Sequence, residues 1–340
     1  MHTSFRINHQ MLQRKVSLRL QQADLSAERA DIEAQLMVAA DLAEVPSHGI
    51  KMLPKLIAAL DDGRINAKPS ETITSQFAAV SILDCDYGSG RAAALRAMQR
   101  AVAQAQTCGI GLCLAKNTSH WGRAHAYATY AAREGCIGIC STNAIPSMAA
   151  WQARTKVFGN NPLAIGVPAP TLAEPCVIDM AMSQASVGKV ATLLQQGTKV
   201  PDGLGFDAAG NPSSDAQQLL AGALAAFGGH KGEGLSLMLE MLSAGLTGGD
   251  FTHQLQQKDQ SGIDGGSSKF FIAINVAAFL PIDEYQRRIC ELFDHLNTTA
   301  PAFQYPGARG WKCHQANLKL GVPLHPELLQ QLQAIGITLN

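Results

Sequence analysis

Between residues 79 and 180 five short runs rich in β-branched and apolar side chains, at 79–83, 109–114, 137–140, 163–168 and 177–180, alternate with alanine-rich helical stretches. That alternation leaves few architectures open, because each helix has to cover a face of the sheet made by the strands around it. The expected fold class is α/β. Ahead of this region residues 1–75 read as helical: Ser26 is an N-cap, Glu28 lies in the first turn, and Ile32, Leu36, Ala39, Ala40 and Ala43 share one face. A second amphipathic stretch, 50–60, stops at Asp61-Asp62-Gly63. Downstream, the glycine-rich run 228–234 precedes an apolar helix over 235–246, a strand over 270–276, a helix over 283–296, a loop at Pro306-Gly307 and a short helix over 326–332. No internal repeat or low-complexity segment interrupts the chain.

The charge balance is even, 27 basic against 27 acidic residues, which argues against a broad nucleic-acid surface. Hydrophobic residues make up 46% and charged ones 16%, enough apolar material for a sizeable core and little polar material to cover it, so an oligomer is expected. The eight cysteines form no CxxC pair, and reduced thiols in a cytoplasmic setting fit them best. No signal peptide is visible, no run of 18 apolar residues occurs, and neither a membrane nor a nucleic acid is an expected partner.

One segment imitates a dinucleotide fingerprint: a strand at 80–83 followed by Gly88-Ser89-Gly90-Arg91-Ala92-Ala93. The fingerprint also needs an acid about 20 residues on to hold a ribose, yet no Asp or Glu stands between Asp86 and Glu134. A plain strand-to-helix turn is the better reading. The phosphate-loop pattern fails at Lys189 and Lys231, there is no HExxH, His120 and His125 are poorly spaced for zinc, and no GxSxG appears. What remains are polar residues in turn-forming contexts, each with a bland alternative as a cap or turn.

Taken together, Ser47-His48-Gly49, the run 159–168, Asp179-Met180-Ala181-Met182-Ser183 with Gly188-Lys189, and Gly229-His230-Lys231-Gly232 resemble the signature blocks of the malate/L-lactate dehydrogenase type 2 family, in family order. The resemblance implies an NAD- or NADP-dependent (NADH/NADPH) oxidoreductase of non-Rossmann fold. It further implies a mixed-sheet cofactor domain over 76–282, a helical domain from both chain ends, 1–75 with 283–340, and a homodimer. By the same resemblance His48, His120 and Asp179 are the catalytic candidates. Ser47, Arg123, Thr142 and Asn143 would contact substrate. Pro175, Cys176, Val177, Ile178, Asp179, Met180, Ala181, His230, Lys231, Gly307, Ala308 and Arg309 match cofactor-binding segments, and no metal is implied. An imidazole suits acid–base work near neutrality, and a guanidinium can take both oxygens of a carboxylate.

The segment 117–123, Thr142-Asn143, Trp151, Gly205-Phe206-Asp207 and Gly210-Asn211 look most like the branch that reduces 2,3-diketo-L-gulonate. Many members carry a basic and an aromatic residue where this chain has Met52 and Leu56, a change expected to make the substrate pocket more apolar. The expected reaction is hydride transfer between a nicotinamide and a small 2-oxo/2-hydroxy acid, a keto sugar acid foremost. Reduction of a cyclic imine carboxylate is the enzymatic alternative, and an inactive binding or scaffold protein the other.

Overall fold

Alanine-faced helices can lie close to a sheet when the strands beneath them supply glycine. The computed structural model, which describes residues 5–195, 197–258, 263–300 and 302–339, is built around such a contact. The helix Gly90–Cys108 lays Ala93, Ala94, Ala97, Ala101 and Ala105 on the sheet. Opposite stands Gly111, where a Cβ would come within 2.0 Å of the Ala101 carbonyl oxygen. The helix His125–Arg133 packs beside it on strands Cys136–Thr142 and Leu163–Pro170.

The seven-stranded sheet runs in the order Thr72–Phe77, Val80–Asp84, Ile110–Thr118, Ser267–Asn275, Cys136–Thr142, Leu163–Pro170, Pro175–Met180. Only Val80–Asp84 and Ile110–Thr118 pair in parallel; every other neighbouring pair is antiparallel. This is a mixed α/β sheet and not the parallel, doubly wound sheet of a Rossmann domain. The Gly88-Ser89-Gly90 turn does join a strand to a helix. The helix N-terminus that would face a pyrophosphate is already occupied, because the Arg91 and Ala92 N–H groups donate to Glu33 Oε1 at 2.9 and 3.2 Å.

A second layer is helical and draws on both chain ends. Leu12, Val16, Leu20, Met37, Val38, Leu53 and Ile57 share one core with Val322, Leu324, Leu328 and Leu332. Strand Phe5–Ile7 pairs antiparallel with Val322–Leu324. The helix Ile282–Thr299 lies instead against the sheet, where Gln286 Nε2 donates to Pro168 O at 2.9 Å. Among the described residues no helix is long and apolar enough to cross a membrane.

Three expectations change. Ser26 does cap the helix Ala27–Leu42, its Oγ accepting from Arg29 N. Of the expected face, however, Ala40 and Ala43 are buried while Ile32, Leu36 and Ala39 are only half-buried, and the buried set of that helix also takes in Arg29, Ala30, Glu33, Ala34, Met37, Val38, Asp41 and Leu42. Two carboxylates occupy it because each has a partner waiting. The helix expected from 235 begins at His230 and passes into a π-turn over Met241–Gly245. Beyond Pro306-Gly307 stands a full helix, Ala308–Leu320, whose buried residues are only Gly310, Trp311 and Asn317, too few to give a readable period.

Candidate active site

Two short 3₁₀ turns, Pro46–His48 and Ile50–Met52, follow the Ala27–Leu42 helix and set His48 at its exit. Proline opens the first turn. The second is pinned by Ile50 N–H donating to Asp41 Oδ2 at 2.8 Å, while Gly49 lies so close to that carboxyl that a Cβ would meet Oδ1 at 2.1 Å. Burial pushes the Asp41 carboxyl up to about 7 despite the Ile50 hydrogen bond and the charge of Arg91. His48 Nδ1 is 2.9 Å from Ser47 Oγ, and its carbonyl accepts from an Arg91 terminal nitrogen at 3.1 Å.

The His48 ring stacks with that of His120, centroids 6.0 Å apart and planes 22° from parallel. His120 Nδ1 accepts the Gly122 N–H at 3.2 Å, which leaves the proton of the neutral ring on Nε2. Burial, then the charges of Arg91 and Arg123, lowers His48 to about 4. Burial, with Arg91 and His48 next, holds His120 well below the ordinary imidazole range. Both rings are therefore neutral at pH 7 in the free protein.

Opposite them the end of strand Pro175–Met180 delivers Asp179. Its Oδ2 accepts from Arg123 Nε at 3.2 Å and from His125 N at 3.1 Å. Burial lifts the Asp179 carboxyl, against the pull of Arg123 and the His125 N–H. Among the described residues the terminal nitrogens of Arg123 make no hydrogen bond, so the fork that suits a carboxylate is uncommitted.

Ser47, His48, Arg123, Asp179, Ala181 and Arg309 line one cavity of about 600 Å³, joined by Glu44, Asn160, Ser186, Lys189 and Thr192. A neighbouring groove of about 270 Å³ is walled by Val177, Ile178, Asp179, Gly307 and Arg309. Val177 N–H donates to Pro306 O at 2.9 Å, so the segments 175–180 and 306–310 run side by side along it.

Not every candidate is brought there. Thr142 Oγ1 is 2.8 Å from Asn143 O, Asn143 Nδ2 donates to Asp250 O, and Asn143 Oδ1 accepts from Ser268 N. These two side chains tie the end of the interior strand Cys136–Thr142 to Ser268 and Asp250 instead of lining the cavity. Pro175 is buried, and its carbonyl accepts from Trp311 Nε1. His230 and Lys231 open their helix with His230 edge-on to Trp151, while Cys176, Met180 and Ala308 flank the groove without lining it. His120 lies behind His48 as its stacking partner. Leu56 belongs to the helical core, and neither it nor Met52 lines the cavity, whose apolar lining comes instead from Val45, Pro46, Ala124, Pro162 and Leu193.

Sequence reasoning passed over Glu33, Asp41 and Lys269. Glu33 and Asp41 sit at helical spacing on a buried stripe, which was the available signal. Lys269 is fully buried, 2.8 Å from Ser267 Oγ and bonded to Thr118 Oγ1, with its ammonium 5.7 Å over the Trp121 ring. Burial brings it down to about 8.

The family model described as malate/L-lactate dehydrogenase matches residues 7–333. The malate dehydrogenase of Pyrococcus horikoshii is 32% identical over 322 residues, covering 91% of this chain and 88% of that protein. The 2,3-diketo-L-gulonate reductase of Klebsiella pneumoniae is 30% identical over 319 residues, covering 92% and 94%. Among solved structures, the Δ1-piperideine-2-carboxylate reductase of Pseudomonas syringae pv. tomato superposes with a TM-score of 0.89 at 26% identity, over 98% of this chain and all of that one.

Proposed function

The chain belongs to the malate/L-lactate dehydrogenase family and is a dehydrogenase or reductase, and from that premise we propose that it moves a hydride between NAD(P) and a linear 2-oxo/2-hydroxy acid in the cavity beside His48. The observation that carries this reading is the convergence of a neutral imidazole, an uncommitted guanidinium fork and a buried carboxylate on one cavity. In oxidation, with Nδ1 donating to Ser47 Oγ, His48 Nε2 presents a lone pair to the substrate hydroxyl and takes its proton. In reduction the same ring returns that proton to the developing alkoxide. Arg123 holds the substrate carboxylate, and Asp179 fixes Arg123 through Nε, which leaves the fork in place. Stacking on His120 keeps the His48 ring from turning away.

The groove fits a dinucleotide. Gly307, at φ +92°, lies close enough to strand Pro175–Met180 that a Cβ would stand 3.2 Å from Val177 O, so the trough exists only with glycine there. Arg309 lines both groove and cavity and supplies a cation for phosphate. Residues 175–181 and 307–309 would hold the cofactor, with His230-Lys231 a further candidate. When bound, the nicotinamide supplies the hydride.

Ser47, Asn160, Ser186, Lys189 and Thr192 offer polar contacts to a substrate with hydroxyls along its chain, beside an apolar wall of Val45, Pro46, Ala124, Pro162 and Leu193. Polar groups that pair with substrate hydroxyls discriminate against ligands that lack them. The test is kcat/KM for linear 2-oxo and 2,3-dioxo acids against Δ1-piperideine-2-carboxylate, with NADH and with NADPH. A tenfold advantage for the imine would overturn the choice. His48→Ala is expected to lower turnover by roughly 10²–10⁴-fold with cofactor affinity kept.

We also infer a homodimer. Met238, Met241, Leu242 and Leu246 are all more than 40% exposed along the helix and π-turn from 230 to 245 and just beyond, an apolar row suited to a second copy of the chain.

A further inference from the structure

The segment whose glycine spacing imitates a dinucleotide fingerprint also carries an arginine that the reaction described above does not use. Arg91 is 3% exposed and is the second residue of the helix Gly90–Cys108. One terminal nitrogen meets Glu33 Oε2 at 3.1 Å, and the other donates to His48 O at 3.1 Å. Its Nε side presses on Gly122, where a Cβ would stand 2.6 Å away. The residue before it, Gly90, lies under the carbonyls of Ser119 and His120, 2.2 and 2.5 Å from a Cβ built there. One guanidinium thus touches both segments that carry the stacked imidazoles. A carboxylate from a third element, the helix Ala27–Leu42, holds it in register.

We infer that Arg91 is a positioning residue for hydride transfer: it ties the backbone at His48 to the segment 120–122 and so sets the spacing of the two rings, with Glu33 as its anchor. The planar fork is essential to this arrangement, because two hydrogen bonds in fixed, diverging directions are beyond a lysine ammonium on a flexible stem. The inference rests on His48 being the proton-transfer group. The charged and titratable groups facing the pair are Arg91, Arg123, Lys55 and Lys269 on the cationic side, with Asp41 beneath Gly49 and Asp179 bonded to Arg123 on the acidic side. Removing Arg91 therefore leaves the rings in a less cationic surround.

Two variants test it in the full-length enzyme. R91K keeps the charge but loses the fork; kcat is expected to fall about tenfold or more, with the dinucleotide Kd, read by fluorescence, within about twofold of the parent. E33Q/R91Q replaces the ion pair with two amides and avoids a lone buried carboxylate. It should show a similar loss of kcat, and the acid limb of kcat/KM for hydroxy-acid oxidation should move up, since Arg91 is the first of the two cations that lower His48 and Glu33 is not among the groups acting on it. A folded variant of either kind with parental kcat and parental acid limb overturns the inference, and if the double variant does not fold, R91K decides alone. His48→Ala separates the two readings: parental turnover in that variant sinks the role of His48 itself, whatever Arg91 does.

Discussion

Asp41 offers a stability measurement with a definite sign. Its carboxyl is 3% exposed, accepts the Ile50 N–H, and stands at about 7 where an unfolded aspartate has 3.8. A carboxyl raised on folding binds its proton more tightly in the native state, so native stability falls as pH climbs from about 4 to about 7 and is level above that. The interval of about three pH units is worth about 4 kcal/mol at 1.36 kcal/mol per unit. Asp41→Asn keeps an oxygen for Ile50 and cannot ionise. The difference in unfolding free energy, variant minus parent, should therefore rise through that window and reach a plateau of about 4 kcal/mol near pH 8. His48 acts in the opposite sense, because its lowered pKa removes stability as pH falls from 6.5 towards 4, but it is present in both proteins and cancels in the difference. Urea melts at half-unit pH steps and fixed protein concentration give the curve. A difference independent of pH, or one that shrinks towards alkaline pH, would show that Asp41 is ionised in the native state and refute the reasoning.

Three further outcomes follow from the same geometry. Gly90→Ala should cost about 2–4 kcal/mol of stability, despite alanine's better helix propensity, because the added carbon meets two carbonyl oxygens that cannot swing aside; a stabilised variant in a thermal melt would contradict the packing. Asp179→Asn should lower kcat/KM by roughly 10–100-fold through loss of the ion pair that holds Arg123, and steady-state kinetics showing less than a twofold change would remove that pair from the mechanism. Light scattering should return about twice the 36.0 kDa chain mass, and a fully active monomer at micromolar concentration would exclude the dimer.

The strand and helix alternation from 79 to 180 was legible because each run has a period of its own, and the absence of an acid after Gly90 correctly separated this turn from a nucleotide fingerprint. The signature blocks placed Ser47, His48, Arg123, Asp179 and Arg309, and these do converge on one cavity. Glu33 and Asp41 defeat a hydropathy reading because a carboxylate counts as polar there, and the helical spacing that was available gains meaning only from the partners, Arg91 far along the chain and Ile50 just beyond the helix. Thr142 and Asn143 show the converse, since neither lines the cavity. Their residue types suit substrate contact, but their hydrogen-bonding capacity is already taken by Ser268 and Asp250. The helix Ala308–Leu320 escaped notice because its contacts with the rest of the protein are few and not periodic.

The strand Ser267–Asn275 lies at the centre of the large sheet, between two strands, Ile110–Thr118 and Cys136–Thr142, that are both made well over a hundred residues earlier. A ribosome therefore releases most of the sheet before the strand that joins its halves exists. Until then Ile110–Thr118 and Cys136–Thr142 are open edges, rich in unpaired backbone groups and prone to pair with other chains. The helical layer waits longer still, because Val322–Leu324 must arrive before Phe5–Ile7 has a neighbour. The order of synthesis thus opposes piecemeal folding. Nascent chains stalled before about residue 267 should need a chaperone to stay soluble, and the wall of the cavity that carries His48 is complete only once nearly the whole polypeptide has emerged.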